Sequence, residues 1–220
     1  TAPAGYNKST TDIKFKIDAN DNITVTSGTT GEYEVKDGVL LVKDAPKTIK
    51  INKMDIKGAK ELIGAVLTLE DSNQKPISNW TSAKDAVWEV DVNTLVVGEE
   101  YTLKETTAPT GYNKITTEIK FKIDANYNIT VTSGTTGEYE VKNGVLLVKD
   151  EPKTIKINKM DIKGAKELIG AVLTLEDSNQ KPISNWTSAK DAVWEVDVND
   201  LVVGEEYTLK EPTEPTGYNT

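Results

Sequence analysis

The sequence predicts an all-β chain of two-sheet sandwich repeats in tandem, and three observations carry that prediction. Short runs alternate apolar and polar residues and are rich in Val, Ile, Thr and Tyr, the pattern of half-buried strands. Turn signals separate the runs at the short intervals that hairpins need. The whole pattern also occurs twice, at an offset of 106 residues that carries Met54 onto Met160.

The central copy justifies each element in turn. "TIKINKMD" (48–55) alternates Ile49 and Ile51 with Lys50 and Asn52, so it reads as a strand that buries the two isoleucines. "AVLTLED" (65–71), "AVWEVDV" (86–92), "EYTLKE" (100–105), "EIKFKID" (118–124), "NITVTS" (128–133), "EYEVK" (138–142) and "GVLLVKD" (144–150) keep the same period. "DSNQKP" (71–76), "NTLVVGE" (93–99) and "DANYN" (124–128) supply the residues of turns. Asn143-Gly144, like Asp37-Gly38 before it, is a hairpin dipeptide that tolerates left-handed backbone. "SNWTSAKD" (78–85) reads as a polar loop, with room for a short helix at 82–86. Trp88 shares a face with Val90 and Val92 and belongs in the core, while Trp80 is the better candidate for an exposed contact, packing still being the preferred reading. Strands spaced this way fit an Ig-like or prealbumin-like β-sandwich.

Comparison of 1–106 with 107–212 shows eight differences, among them Ser9/Ile115, Asp21/Tyr127, Asp37/Asn143 and Thr94/Asp200. A repeat this long is a domain rather than a solenoid unit. Its phase is set by Pro46 and Pro152, each of which follows an acidic strand end and precedes "KTIKI". Proline interrupts strands, so these are the better junctions. The chain then reads as the C-terminal strands of one repeat (1–45), a complete repeat (46–151) and the N-terminal strands of the next (152–220). Cutting instead at Thr1, Thr107 and Thr213 gives two whole units and a stub.

Composition narrows the chemistry. Cysteine, histidine and arginine are all absent, which excludes disulfides, thiolate metal sites, histidine triads and cysteine nucleophiles. No metal or cofactor is expected. A net charge of -9 argues against a nucleic-acid partner. No apolar run approaches the roughly 18 residues that span a bilayer, so membrane insertion is not expected. Nothing resembles a signal peptide, and the chain reads as an internal piece of something longer.

The inward register holds the informative residues. After Ile49 and Ile51 the next inward position is Lys53; after Tyr101 and Leu103 it is Glu105; after Leu146 and Val148 it is Asp150. Each alone could end a strand and snorkel to solvent. Burying a lone ion costs several kcal/mol, so three such residues are expected to meet one another. Lys159, Glu211 and Asp44 repeat the set.

These residues resemble a known family. "IKINKMD", "KELIGAVLTLEDSNQKPI", "GEEYTLKETTAPTGY" and "GVLLVKD" look like the collagen-adhesin B-type repeat of Gram-positive surface proteins and pilins. They are especially similar to the member that was split into a reactive peptide tag and its catcher. The resemblance covers 47–151, and both flanking segments by repetition. It implies a spontaneous isopeptide bond between Lys53 as nucleophile and Asp150 as acceptor, with Glu105 as the proton-shuttling acid. Many members use Asn as acceptor; with Asp, water leaves rather than ammonia. The second set departs slightly, "KEPTEPTGY" replacing "KETTAPTGY", but Glu211 keeps its place. An apolar site disfavours the charged forms, so a neutral amine can attack a neutral carboxyl group held beside it.

The expected function is a structural stalk or spacer of an extracellular, cell-wall-anchored, pilus-like protein, self-cross-linked and not an enzyme. Lys159 is expected to bond Asp44 of another molecule, so that the chain's partner is itself, head to tail. The alternative is an adhesive module for a host matrix protein such as collagen; near-identical copies favour the spacer. A hydrolase is a distant third. "DANDN" (18–22) imitates the start of a calcium loop but has Thr29 where the bidentate glutamate belongs, so it reads as a hairpin turn. "NWT" and "NIT" match glycosylation acceptors, which means little if the source is bacterial.

Overall fold

The computed structural model describes residues 1–218; Asn219 and Thr220, which close the 152–220 segment, lie outside the described residues. The chain divides into two compact units, residues 1–107 with 115–149, and residues 108–114 with 150–220.

The first unit begins with two hairpins, β1 (Lys14–Ile17) with β2 (Ile23–Ser27), and β3 (Tyr33–Lys36) with β4 (Val39–Val42). There follow β5 (Thr48–Asp55), β6 (Val66–Glu70), β7 (Pro76–Thr81), β8 (Trp88–Asp91), a 3-10 turn (Val92–Thr94) and β9 (Glu100–Thr107). β10 (Ile119–Ile123), β11 (Ile129–Ser133), β12 (Tyr139–Lys142) and β13 (Val145–Asp150), whose last residue is grouped with the second unit, follow. One sheet has the order β11-β10-β9-β6-β7 and the other β12-β13-β5-β8. The period-2 runs turn their apolar residues between the sheets. Ile51, Leu67, Leu69, Leu103, Ile119, Phe121, Leu146 and Val148 are fully buried in one cluster. The all-β prediction and the strands named in the sequence stand where the runs placed them.

Two local expectations change. "SNWTSAKD" is not wholly loop, because its first half belongs to β7, which pairs antiparallel with β6. β7 is an edge strand beginning on Pro76, a position where a missing N–H costs nothing. Trp80 is half-buried and stacks on Trp88, with ring centroids 5.9 Å apart. Residues 82–86 form no helix. Ala83 bridges Ala86 around a tight turn with Asp85 in left-handed backbone (φ 54°), and Ser82 Oγ accepts the Ala65 N–H at 2.9 Å. "DANDN" is the β1–β2 turn; its Asp18 carboxylate accepts the Asn22 side-chain amide and then the backbone N–H groups of Asn22 and Asn20, which holds that carboxyl below the usual aspartate range.

In the second unit, β14 (Thr154–Ile157) pairs with β17 (Trp194–Asp197), and β15 (Val172–Glu176) lies between β16 (Pro182–Thr187) and β18 (Thr208–Thr213). A 3-10 turn follows β17 at Val198–Asp200. Registers are copied faithfully: Ile155 faces Val196 as Ile49 faces Val90. Burial is not. Ile49 is 2% exposed and Ile155 41%. The same contrast separates Phe121 (0%) from Phe15 (47%), although both sit in one hairpin register opposite Val131 and Val25.

That contrast gives a paired test. Phe121→Ala should cost about 3–5 kcal/mol in a urea titration, whereas Phe15→Ala, measured on the unassociated chain carrying Lys159→Ala, should stay within about 0.5 kcal/mol. Equal effects would mean that the two hairpins share one environment.

Candidate functional site

Lys53 stands on β5, a central strand of the four-stranded sheet, and Glu105 on β9, the central strand of the five-stranded sheet. Inward alternation on each aims them at each other across the sandwich. Lys53 Nζ lies 3.0 Å from Glu105 Oε1, and neither side chain is exposed to solvent. The other carboxylate oxygen, Oε2, accepts the backbone N–H of Ile115 at 3.0 Å. Glu105 is therefore oriented from two sides, by a cation and by a main-chain donor. Asp150 ends β13, the neighbour of β5 in its sheet, and is 1% exposed. All three residues are thus buried, each at the end of an apolar stripe.

Removing one member of a buried ion pair leaves an uncompensated charge in an apolar setting and costs about 3–5 kcal/mol, whereas replacing both can be neutral. Such a pair is weak ground for stability and stronger ground for chemistry. Its elements suit proton transfer and amine attack: an amine, a carboxyl in hydrogen-bond reach to take its proton, and a second buried carboxyl on the adjoining strand.

In the second unit, Lys159 Nζ approaches Glu211 Oε2 at 2.7 Å, with both side chains 23% exposed. Lys159 lies just beyond β14, which is half as long as β5. Asp44 follows β4 in the first unit and is half-buried. Among the described residues, no cluster of three or more acidic side chains could hold a metal ion.

Two features escaped the sequence. Ile115 contributes through its backbone, which no side-chain pattern reveals. Asn52, in the outward register of β5, is nonetheless buried at 8% exposure. The 55–62 loop folds back over it: the Leu62 N–H reaches Lys53 O at 2.9 Å, and Glu61 Oε1 accepts from Asn52 Nδ2 at 2.9 Å. Glu61 Oε2 also accepts the Asp85 N–H at 2.8 Å, and Glu167 makes the same bonds to Asn158 and Asp191. An amide at strand position 52 beside an acid nine residues on was the available signal.

The fold is a two-sheet sandwich whose sheets are bridged by a buried lysine–glutamate pair, with a further buried aspartate on the adjoining strand. A family model described as the SpaA prealbumin-like fold domain matches residues 47–142 and 153–220, and the chain belongs to that family. This agrees with the collagen-adhesin B-type resemblance. No curated protein matches the chain. Among solved structures it is similar to the Bacillus anthracis TIE protein, at 19% identity and a TM-score of 0.40, over 88% of this chain and 39% of that one. It is also similar to a C-terminal fragment of the pilus adhesin SpaC from Lactobacillus rhamnosus GG, at 21% identity and a TM-score of 0.35, covering 79% of this chain and 78% of that one. The group B streptococcus pilus 2b backbone protein matches at 18% identity and a TM-score of 0.35, over 60% and 48%.

The loop network has a pH signature. Its bonds from Asn52 and Asp85 hold the Glu61 carboxyl below its ordinary 4.5. A lowered folded-state value contributes stability that is present above pH 4.5 and lost as pH falls through the folded value. Glu61→Gln should therefore flatten the acid limb of a stability–pH curve below pH 4.5. An unchanged limb would show that the network carries no such linkage.

Proposed function

We propose that the chain is a structural spacer of an extracellular, pilus-like surface protein, braced by an isopeptide bond from Lys53 to Asp150. The observation that carries this reading is the buried Lys53–Glu105 pair, 3.0 Å apart between the sheets. A buried lysine held by one carboxyl, with another at the end of the neighbouring strand, is poor economy for a structural core and good arrangement for condensation. Lys53 gives a proton to Glu105, and its neutral amine attacks the Asp150 carboxyl carbon. Glu105 passes that proton to the departing hydroxyl and takes the second proton from the attacking nitrogen, so that one C–N bond forms, one C–O bond of the neutral Asp150 carboxyl breaks, water leaves and Glu105 ends protonated. Folding supplies the proximity that replaces a bimolecular collision. The event occurs once per domain and consumes the protein's own groups, so no turnover follows.

A link between β5 and β13 closes a loop on the order of 100 residues, worth about 4.7 kcal/mol in the chain-entropy treatment of cross-links. It ties the first strand of the repeat to its last, so pulling force would cross a covalent bond. A chain without cysteine would gain a cross-link that reductants cannot cut.

The second set extends the reading to self-association. The β1–β2 and β3–β4 hairpins expose Phe15, Ile17 and Val42, whose copies Phe121, Ile123 and Val148 are buried in the complete sandwich. Ile155 and Leu209 of the second unit are exposed where Ile49 and Leu103 are buried. These surfaces are copies of two halves of one core. A second molecule could join them, with β1 beside β18 and β4 beside β14, and with Asp44 presented to Lys159.

Intact mass tests the intramolecular bond. The purified chain should weigh one water less than its sequence, and Lys53→Ala or Glu105→Ala should restore the full mass; a full-mass parent chain refutes the bond. Denaturing gel electrophoresis tests the second. A ladder abolished by Lys159→Ala is expected, while a monomer band alone excludes pairing of Lys159 with Asp44 between molecules.

A further inference from the structure

The segment "TAPAGYN" (1–7) recurs as "TAPTGYN" (107–113), and neither copy takes part in the lysine site. Both make the same set of contacts. In the first unit, Gly5 O accepts the Lys47 N–H at 2.8 Å, the Asn7 N–H reaches Ala45 O at 2.8 Å, and Tyr6 bridges Pro46. In the second, Gly111 O accepts the Lys153 N–H at 2.8 Å, the Asn113 N–H reaches Glu151 O at 2.8 Å, and Tyr112 bridges Pro152. The segment thus lies along the Pro–Lys link that leads into the first strand of a repeat.

It also reaches the 3-10 turn of that repeat. Asn93 Nδ2 points at Gly5 O (3.4 Å) and Asn199 Nδ2 at Gly111 O (3.4 Å). Each amide is aimed by the acid that caps its turn, Asp91 at 2.9 Å and Asp197 at 2.8 Å. The Lys47 and Lys153 carbonyls accept the next N–H groups of the turns, from Val92 and Val198. Glycine is required at the contact for two reasons. Its backbone is left-handed (φ 80° at Gly5, 82° at Gly111), and a Cβ there would fall 2.3 Å from the asparagine Oδ1. By sequence, residues 108–114 sit between β9 and β10 of the central repeat. By contact they belong with residues 150–220.

We propose that A-P-x-G-Y-N is a docking strap with which each repeat grips the one that follows it. Its partner is the next copy of the same domain, at the Pro–Lys link and the Asn-bearing 3-10 turn. The strap lies outside the isopeptide reading and stands without it. Its two ends flank the site all the same, since Glu105 precedes it and Ile115, whose N–H holds Glu105, follows it. Neighbouring repeats are then coupled by main-chain hydrogen bonds that any array of near-identical copies reproduces at every junction.

Hydrogen exchange read residue by residue by NMR on the full chain tests this. The Lys153 and Asn113 amides should be protected in the parent. Both Gly111→Val and the milder Asn199→Ala should abolish that protection while β15 stays protected. Gly137→Val is the control for backbone strain alone, because Gly137 is also left-handed (φ 95°) but faces open space, and it should leave Lys153 protected. Parent-like protection at Lys153 and Asn113 in both strap variants, or no protection in the parent, overturns the proposal.

Discussion

A lysine and a glutamate that face each other between two sheets, with no exposure to solvent, set the terms for the rest of this fold. Neither group can be buried alone without a penalty of several kcal/mol, so the sandwich must close with both in register. That requirement fixes β5 against β9 across the core. It also explains why the apolar stripes end where they do, in Lys53 and Glu105 rather than in further isoleucines. The Ile115 N–H completes the arrangement by holding the second glutamate oxygen. The pair is a costly way to fill a core and a suitable way to prepare an amine.

The repeat supplies its own controls. Lys159 and Glu211 meet in the second unit, yet they are 23% exposed where Lys53 and Glu105 are sealed. The side chains are identical; what differs is the number of strands laid over them, with sheets of two and three strands in place of four and five. Burial, and with it the reactivity proposed for the site, is thus a property of the completed sandwich. The proposed strap would add a second level, tying the tail of one repeat to the link that opens the next.

Much of this was legible in the sequence, for identifiable reasons. Strands burying one face print a period of two, and the three inward charges are visible only because Ile49, Tyr101, Leu146 and their neighbours set the register. β7 leaves only half a pattern in the letters because "PISNWT" lies on an edge, where Pro76 is tolerated and polar side chains face water. Asn52 is outward by strand alternation, but the returning 55–62 loop buries it. The Ile115 N–H and the strap carbonyls leave no side-chain signature. They are set by backbone geometry, for which only Gly5 and Gly111 hint in the letters.

Peptide mapping by tandem mass spectrometry most directly tests the covalent bond proposed between Lys53 and Asp150. Digestion of the folded chain should yield a branched peptide joining the Lys53 segment to the Asp150 segment, lighter by one water than the sum of the two. Recovery of both segments only as separate linear peptides would contradict the account.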